Sequence, residues 1–199
     1  MRVSATLRRL AHPRQTVPLD LFKGRKTLDI GCGRSKLCGS VGLDARMHPG
    51  VDVVANLDEP LPIEDEQFDG VNADQVLEHV RNLPGLVSEI HRVLRPGGIL
   101  VAHVPYFRSS WAHVDPTHVR SFTLRSMDYF VEGSLFFERY RFNDARFQTL
   151  EIYLDGHRKT SYLRGLCAAL AIARPDRFEN SLLSFLCPFE LLTFVLRKA

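Results

Sequence analysis

The fold of this chain is decided by the stretch Lys26-Thr27-Leu28-Asp29-Ile30-Gly31-Cys32-Gly33-Arg34-Ser35. It predicts a buried strand that runs into a glycine-lined turn, with Asp29 two positions before the first glycine. Gly31 and Gly33 lack a Cβ, so the backbone can bend sharply and a ligand can lie against it. A turn of this kind, at the carboxyl end of a parallel strand, is where open α/β sheets bind nucleotides.

The acid in this turn narrows the class of ligand. Asp29 would repel a pyrophosphate and would suit a ligand that carries ammonium and sulfonium groups. The dinucleotide fingerprint has a third glycine three residues after the second, and that position is Lys36. Both features argue against a nicotinamide-dependent oxidoreductase. The alternative is a tight strand–turn that binds no ligand.

Composition indicates one globular domain. The chain has 199 residues, of which 45% are hydrophobic and 25% are charged, as in ordinary soluble proteins. The four cysteines show no paired metal spacing and no CxxC motif, which predicts reduced thiols, a cytoplasmic location and no zinc. They are Cys32, Cys38, Cys167 and Cys187.

Charge is unevenly distributed along the chain. Residues 1–26 carry a net charge of +6, and the remainder carries −3. We expect residues 1–25 to form a basic N-terminal arm that is loosely ordered. The alternatives are contact with nucleic acid or an anionic membrane surface, or an organellar transit peptide.

The longest apolar stretch is 182–196, which is broken by Pro188 and contains Glu190. It is too short for a membrane span. We expect a core or interface role for it, and contact with a membrane surface is the second interpretation.

The remaining pattern predicts an α/β domain over 26–199, with strand-like and helix-like segments in alternation. The predicted strands are 27–30, 41–44, 51–55, 68–73, 99–104, 147–154 and 190–197. A helix is expected over 83–94, ending at Arg95-Pro96-Gly97-Gly98. We expect 105–130 to be an active-site insertion and 160–187 to be a helical cap, with helices at 161–173 and 177–186.

Five motifs occur in an order and spacing that resemble the class I S-adenosylmethionine-dependent methyltransferases of the small-molecule type. They are Leu28-Asp29-Ile30-Gly31-Cys32-Gly33, Gly42-Leu43-Asp44, residues 61–69, Leu77-Glu78-His79-Val80 and residues 92–98. The resemblance covers residues 27–104. It implies a Rossmann-like, doubly wound and mostly parallel sheet of about seven strands with an antiparallel last strand. It also implies S-adenosylmethionine as cofactor and methyl transfer to a small molecule.

The resemblance assigns cofactor-binding roles to further residues. Asp44 would accept the ribose hydroxyls, Asn56 would lie near the adenine amine, and Leu57 would pack on the adenine ring. Asp74 and Gln75 would face the methionine end. Asp44 as a turn cap and Asn56 as a simple turn residue remain as alternatives.

The chain departs from the family between Gly33 and Asp44. These residues are 11 positions apart, too few for the usual helix between the first two strands, and Ser35 replaces the third glycine. We therefore expect a shortened crossover in which a loop holds the cofactor. Weaker or lost binding is the alternative, and it would make the chain a catalytically degenerate protein that binds a cofactor or a partner.

The run His113-Val114-Asp115-Pro116-Thr117-His118 follows the fifth strand and resembles a subgroup of methyltransferases that occur with sugar and cell-envelope gene products. A hydroxyl or amine acceptor needs a base of near-neutral pKa, which histidine supplies. His118, His113 and His79 are the candidate bases, and Asp115 could orient an imidazole. The alternative is that Asp115 caps a turn and the histidines hold a lid.

The acceptor pocket is expected to be lined by Tyr106, Phe107 and Trp111. The resemblance suggests a glycan or lipid-linked sugar as acceptor. We expect no metal, because no acid cluster accompanies the histidines. A nucleic-acid acceptor is disfavoured, since residues 72–75 read Asn-Ala-Asp-Gln where base methyltransferases have Asn/Asp-Pro-Pro-aromatic. An RNA-directed methyltransferase stays as a second alternative.

Overall fold

A computed structural model describes residues 20–155 and 162–199 of the chain. Its seven-stranded sheet has the order β3-β2-β1-β4-β5-β7-β6. The strands are β1 Thr27–Ile30, β2 Val41–Asp44, β3 Val53–Val54, β4 Phe68–Asp74, β5 Leu94–Pro105, β6 Phe147–Leu154 and β7 Leu191–Lys198. β1 to β5 pair in parallel, and β7 pairs antiparallel with both β5 and β6. The predicted fold class is confirmed.

Helices and turns connect the strands. The helices are α1 Leu83–Val93, α2 Trp111–Val114, α3 Leu135–Tyr140, α4 Tyr162–Ala173, α5 Pro175–Glu179 and α6 Leu183–Leu186, with a 3₁₀ turn at Asp128–Phe130. α1 begins at Asn82, whose side chain accepts a hydrogen bond from the Gly85 amide and caps the first turn. No helix among the described residues has the length and apolar character that crossing a membrane requires.

The hydrophobic core packs against the central strands of the sheet. All four residues of β1 are buried, because β2 and β4 flank it on either side. The five parallel strands point the same way, so the loops that follow them gather at one edge of the sheet. We call this the carboxyl edge, and the candidate site lies there.

The shortened crossover between β1 and β2 is confirmed. Residues 31–40, all of them described, contain turns and no helix. Two hydrogen bonds replace the helix. The Leu37 amide donates to Asp29 Oδ2 at 2.7 Å, and Ser40 Oγ donates to the Leu37 carbonyl at 2.7 Å.

The boundary between arm and domain differs from the prediction. Leu21 and Phe22 pack on the cluster of buried side chains around Ile99 and Val101, so the domain begins by residue 21 and not at residue 26. A Cβ on Gly70 would lie 2.8 Å from the Phe22 ring, which shows how closely this ring contacts β4. Residues 1–19 of the arm lie outside the described residues.

The helical cap also differs in detail. The helix predicted over 177–186 is two short helices, α5 and α6, separated by residues 180–182. Residues 156–161, where the cap was expected to start, lie outside the described residues. The apolar stretch 182–196 does not form one surface, because β7 is inserted between β5 and β6 and is largely buried. Only its first part is exposed, including Leu182, Phe185 and Leu186.

Candidate active site

The glycine turn after β1 has left-handed backbone at both glycines, with φ of 64° at Gly31 and 52° at Gly33. A Cβ on Gly31 would lie 2.3 Å from Val76 Cγ2, so this glycine permits close packing on the turn that follows β4. A Cβ on Gly33 would meet nothing within 4 Å. The Gly33 side of the turn is therefore open to a ligand.

Asp29 lies beneath this turn with both carboxylate oxygens bound to the protein itself, and its predicted contact with the cofactor stays a prediction. Its side chain is 3% exposed. Oδ1 accepts a hydrogen bond from Asn72 Nδ2 at 2.7 Å, and Oδ2 accepts one from the Leu37 amide at 2.7 Å. Burial raises the pKa of its carboxyl group, while these bonds oppose the shift. Asp29 positions the loop.

Asp44 closes β2 and contacts the glycine turn directly. Its Oδ2 accepts a hydrogen bond from the Gly33 amide at 2.9 Å, and its Oδ1 accepts one from the Arg46 amide at 2.9 Å. Each carboxylate oxygen can accept a second hydrogen bond. Asp44 therefore caps the turn, and its half-buried carboxylate can still accept hydrogen bonds from hydroxyl groups.

The other predicted cofactor residues also lie along the carboxyl edge. Asn56 Oδ1 accepts from the Asp58 amide at 3.1 Å and its Nδ2 donates to Glu59 at 3.0 Å, which is the turn alternative. Leu57 packs against the core. Asp74 and Gln75 are exposed at the end of β4, and Gln75 has a left-handed φ of 53°.

Glu78, which the sequence interpretation quoted in a motif but gave no role, is the most unusual group of this edge. It lies in the turn after β4 and is 1% exposed, and neither carboxylate oxygen has a hydrogen-bond partner within residues 20–155 and 162–199. Burial raises the pKa of its carboxyl group to about 7, and the charges of Asp74 and Asp115 add to the effect. A lone acid within an otherwise apolar turn sequence was the signal that could have identified it.

Two consecutive hydrogen bonds, through Thr117 to Asp115, hold the His79 ring in place. Thr117 Oγ1 donates to Asp115 Oδ1 at 2.6 Å and lies 2.9 Å from His79 Nδ1. Because the single hydroxyl proton goes to Asp115, His79 Nδ1–H donates to Thr117 and the Nε2 lone pair stays available. Burial, followed by the charge of His118, lowers the pKa of His79. Asp115 is thus linked to the His79 imidazole through Thr117 and not by a direct hydrogen bond.

His118 completes the group. Its ring packs edge-to-face on that of His79, with centroids 4.6 Å apart. Its Nδ1 donates to the Ala112 carbonyl at 3.3 Å. The potential ligand atoms of Glu78, His79 and His118 all lie within 4.8 Å of one another. We call these three residues the Glu–His–His cluster.

The remaining predicted site residues lie outside this cluster. His113 is exposed, and its Nε2 donates to the Phe107 carbonyl at 3.0 Å. Tyr106 is fully buried and donates its hydroxyl to Glu179 at 3.1 Å, so it is a core residue and does not line an open pocket. Phe107 is half-buried, and Trp111 is 60% exposed.

Arg120 fixes the insertion against the turn after β4. Its guanidinium donates to the carbonyls of Val80 at 2.6 Å and Arg81 at 2.8 Å, and the Val119 amide donates to the Glu78 carbonyl at 2.9 Å. A cavity of about 350 Å³ runs along residues 112–121. Sequence reasoning assigned no role to Arg120, because its partners are backbone carbonyls 40 residues away.

Comparison with known proteins agrees with this geometry. Residues 28–102 match the family described as "Methyltransferase domain". A ubiquinone biosynthesis O-methyltransferase from Chelativorans sp. is 31% identical over 109 residues, which are 44% of this chain and 42% of that protein. The matches to the other curated relatives span from 30% to 55% of their lengths.

Two solved structures share the fold. One is a SAM-dependent methyltransferase from Archaeoglobus fulgidus (TM-score 0.56, 21% identity, covering 89% of this chain and 88% of that one). The other is the [4+2]-cyclase SpnF (TM-score 0.53, 19% identity, covering 88% and 75%). Residues 28–102 thus match a methyltransferase domain, and the chain shares the Rossmann-like fold of S-adenosylmethionine-dependent methyltransferases.

Proposed function

We propose that this protein transfers a methyl group from S-adenosylmethionine to an oxygen or nitrogen atom of a small molecule. The observation that carries the proposal is that an open glycine turn braced by Asp44 and the Glu–His–His cluster lie at the same edge of the sheet. The O-methyltransferase among the curated relatives supports the reaction class.

The residues of the carboxyl edge fit this cofactor. The open side of Gly33 would receive it, Asp44 would accept its ribose hydroxyls, and Leu57 would pack on its adenine. Asp74 and Gln75 would lie toward its methionine end. When bound, the cofactor supplies a methyl group on a sulfonium sulfur, which is already an excellent leaving group, so the protein needs mainly to align the acceptor and exclude water.

The acceptor must lose a proton, and the Glu–His–His cluster is suited to promote that loss. The Nε2 lone pairs of His79 and His118 are left available by the hydrogen bonds at Nδ1. Asp115 and Thr117 hold the His79 ring and its tautomer, which is how acid–base histidines are oriented in other enzymes. We infer that His113 supports the loop rather than the chemistry, since its ring is bound to the Phe107 carbonyl.

The structure favours a small-molecule acceptor over nucleic acid. Asn72, which stands where base methyltransferases bind an exocyclic amine, is 9% exposed and donates to Asp29. We propose a lipid-linked sugar as the acceptor, because the apolar side chains of Leu182, Phe185 and Leu186 are exposed. The Phe185 ring lies 3.8 Å from the guanidinium carbon of Arg108, which belongs to the 105–130 insertion. Sedimentation with anionic vesicles tests whether this surface also contacts a membrane, as the sequence interpretation allowed.

Calorimetry with S-adenosylmethionine, and with its demethylated product, tests the cofactor assignment. We expect saturable binding that Asp44→Ala weakens by at least about tenfold, because both the loop brace and the ribose acceptor are lost. Asp58→Ala, which removes a carboxylate from the neighbouring loop, is the matched control and should change the affinity little. Binding that is unaffected by Asp44→Ala would contradict the proposed site.

Methyl transfer is measured separately, with methyl-tritiated donor and a panel of phenols, sugars and amines. The alternative function is a degenerate fold that binds cofactor without transfer. One observation favours it: the oxygens of Asp29 and Asp44 already accept hydrogen bonds from the protein's own backbone amides and from the Asn72 side chain. Saturable cofactor binding without label transfer to any acceptor would support it.

A further inference from the structure

We propose that the Glu–His–His cluster binds one divalent transition-metal ion of the zinc type, with a coordination position left open toward the acceptor. The existence of this site is independent of the proposed function, and only its catalytic role rests on it. The sequence predicted no metal because no supporting acid cluster accompanied the histidines, and the structure brings Glu78 and His79 together with His118.

Glu78 is the first argument for a cation. Its side chain is 1% exposed, yet neither of its oxygens has a hydrogen-bond partner among the described residues. Buried carboxylates are normally paired with a cation or coordinate a metal, because burying them alone is costly. The nearby guanidinium of Arg120 donates instead to the carbonyls of Val80 and Arg81.

The orientation of the two histidines is the second argument. Metal-binding histidines typically donate their other ring N–H to a carboxylate or carbonyl, which fixes the tautomer. His79 donates Nδ1–H to Thr117, which is itself bound to Asp115, and His118 donates Nδ1–H to the Ala112 carbonyl. Both rings thereby leave Nε2 as the available ligand atom.

The donor set selects the class of metal. Two imidazoles and one carboxylate match catalytic zinc sites, which keep a further position for water or substrate, whereas Mg²⁺ prefers six oxygen ligands. Ligand atoms around tetrahedral zinc lie about 3.4 Å apart. The ligand atoms of the cluster lie within 4.8 Å of one another, so each pair must move closer by at most about 1.4 Å to bind the ion.

A metal here would act on the acceptor. A hydroxyl bound at the open position has a lowered pKa, so its O–H bond breaks near neutral pH and the proton passes to solvent. The resulting oxygen stays beside the carboxyl edge, where the methyl donor is proposed to bind. In this arrangement the histidines are ligands, and proton loss needs no separate side-chain base.

Direct metal binding tests the site without reference to activity. Untagged full-length protein, stripped with a chelator, is titrated with Zn²⁺ by calorimetry and with Co²⁺ by visible absorption. We expect one ion per chain and ligand-field bands for bound Co²⁺. Glu78→Gln and His118→Asn should each weaken Zn²⁺ binding by more than about tenfold, and Thr117→Val should weaken it less because it acts through His79.

His113→Asn is the matched control, since it removes an imidazole five residues from His118 but outside the cluster, and it should bind Zn²⁺ as the unmodified chain does. No stoichiometric Zn²⁺ binding, or binding that Glu78→Gln and His118→Asn leave unchanged, would overturn the proposal. S-adenosylmethionine calorimetry on the same samples separates the two claims. If the protein binds the cofactor but not Zn²⁺, only the metal site is rejected. If it binds Zn²⁺ but not the cofactor, only the proposed function is rejected.

Discussion

Burying the Glu78 carboxylate destabilises the folded protein, and the same residue belongs to the proposed functional site. An ionised carboxylate without a partner destabilises the folded state by the desolvation it undergoes, and proteins keep such groups mainly where they act on a ligand. The insertion is held against this turn by two contacts: the Val119 amide binds the carbonyl of Glu78, and Arg120 binds those of Val80 and Arg81. The proposed functional site and a source of local instability therefore coincide at Glu78.

Replacing Glu78 by glutamine should stabilise the metal-free protein. The change keeps the size of the side chain and removes its charge, so we expect the free energy of unfolding to rise by about 1–3 kcal/mol. Urea unfolding of both proteins in chelator at neutral pH measures the difference. A fall in stability would mean that the carboxylate has a stabilising partner, and it would remove the main argument for a bound cation.

At the scale of elements, two cysteines from different parts of the cap lie next to each other. Cys167 in α4 and Cys187 just after α6 are both thiols, with their Sγ atoms 2.7 Å apart. Burial raises the pKa of the Cys167 thiol to about 11, and the neighbouring thiol adds to the shift. Little Cys167 thiolate is present at neutral pH, so this thiol lies close to its neighbour but reacts slowly.

Oxidised glutathione should convert this pair into an intramolecular disulfide. The two thiols lose two hydrogens while the oxidant becomes two molecules of glutathione, and the rate should rise with pH as thiolate forms. Closing a loop of 20 residues should stabilise the cap by about 3 kcal/mol. Mass spectrometry and thermal unfolding follow the reaction, with Cys167→Ser as the control. A Cys38 adduct in place of the Cys167–Cys187 link would contradict the expectation.

The strands were largely predictable from local pattern, and the cluster was not. β1, β2 and β6 have the predicted bounds, because their apolar runs are bounded by turn residues. β5 begins earlier, at Leu94, since Leu94 pairs with Phe68 before the left-handed Gly97.

The Glu–His–His cluster depends on contacts between distant parts of the chain. The Val119 amide reaches the Glu78 carbonyl, and Thr117 reaches His79, over separations of about 40 residues. No local periodicity encodes such pairs. For the same reason, the sequence placed Asp29 in the first motif but did not indicate that Leu37 and Asn72 bury it.

At the scale of the whole molecule, the parallel order of β1 to β5 brings together groups that are far apart in sequence. The glycine turn, Asp44 and the Glu–His–His cluster meet only because their strands end at one edge of the sheet. The fold itself does not determine the reaction, as the similarity to a [4+2]-cyclase illustrates. Only the residues of that edge distinguish methyl transfer from other reactions on this fold.

His91 should make global stability depend on pH. It lies in the last turn of α1 against Phe147 of β6, with Lys198 of β7, Arg146 and Glu66 nearby. Burial, followed by the charge of Lys198, lowers its pKa, while the Arg146 carbonyl and Glu66 oppose the shift. The folded state thus binds this proton less readily than the unfolded chain does.

The sign of the effect follows from that difference. Stability contributed by neutral His91 is complete above the unfolded pKa of about 6.5 and is lost as the pH falls below it. We expect His91→Gln, which cannot titrate, to flatten the decline of the free energy of unfolding between pH 7 and pH 5, measured by urea unfolding. His113→Gln, at an exposed histidine, is the control and should leave the slope as it is. An unchanged slope in His91→Gln would mean that protonation of His91 is not coupled to unfolding.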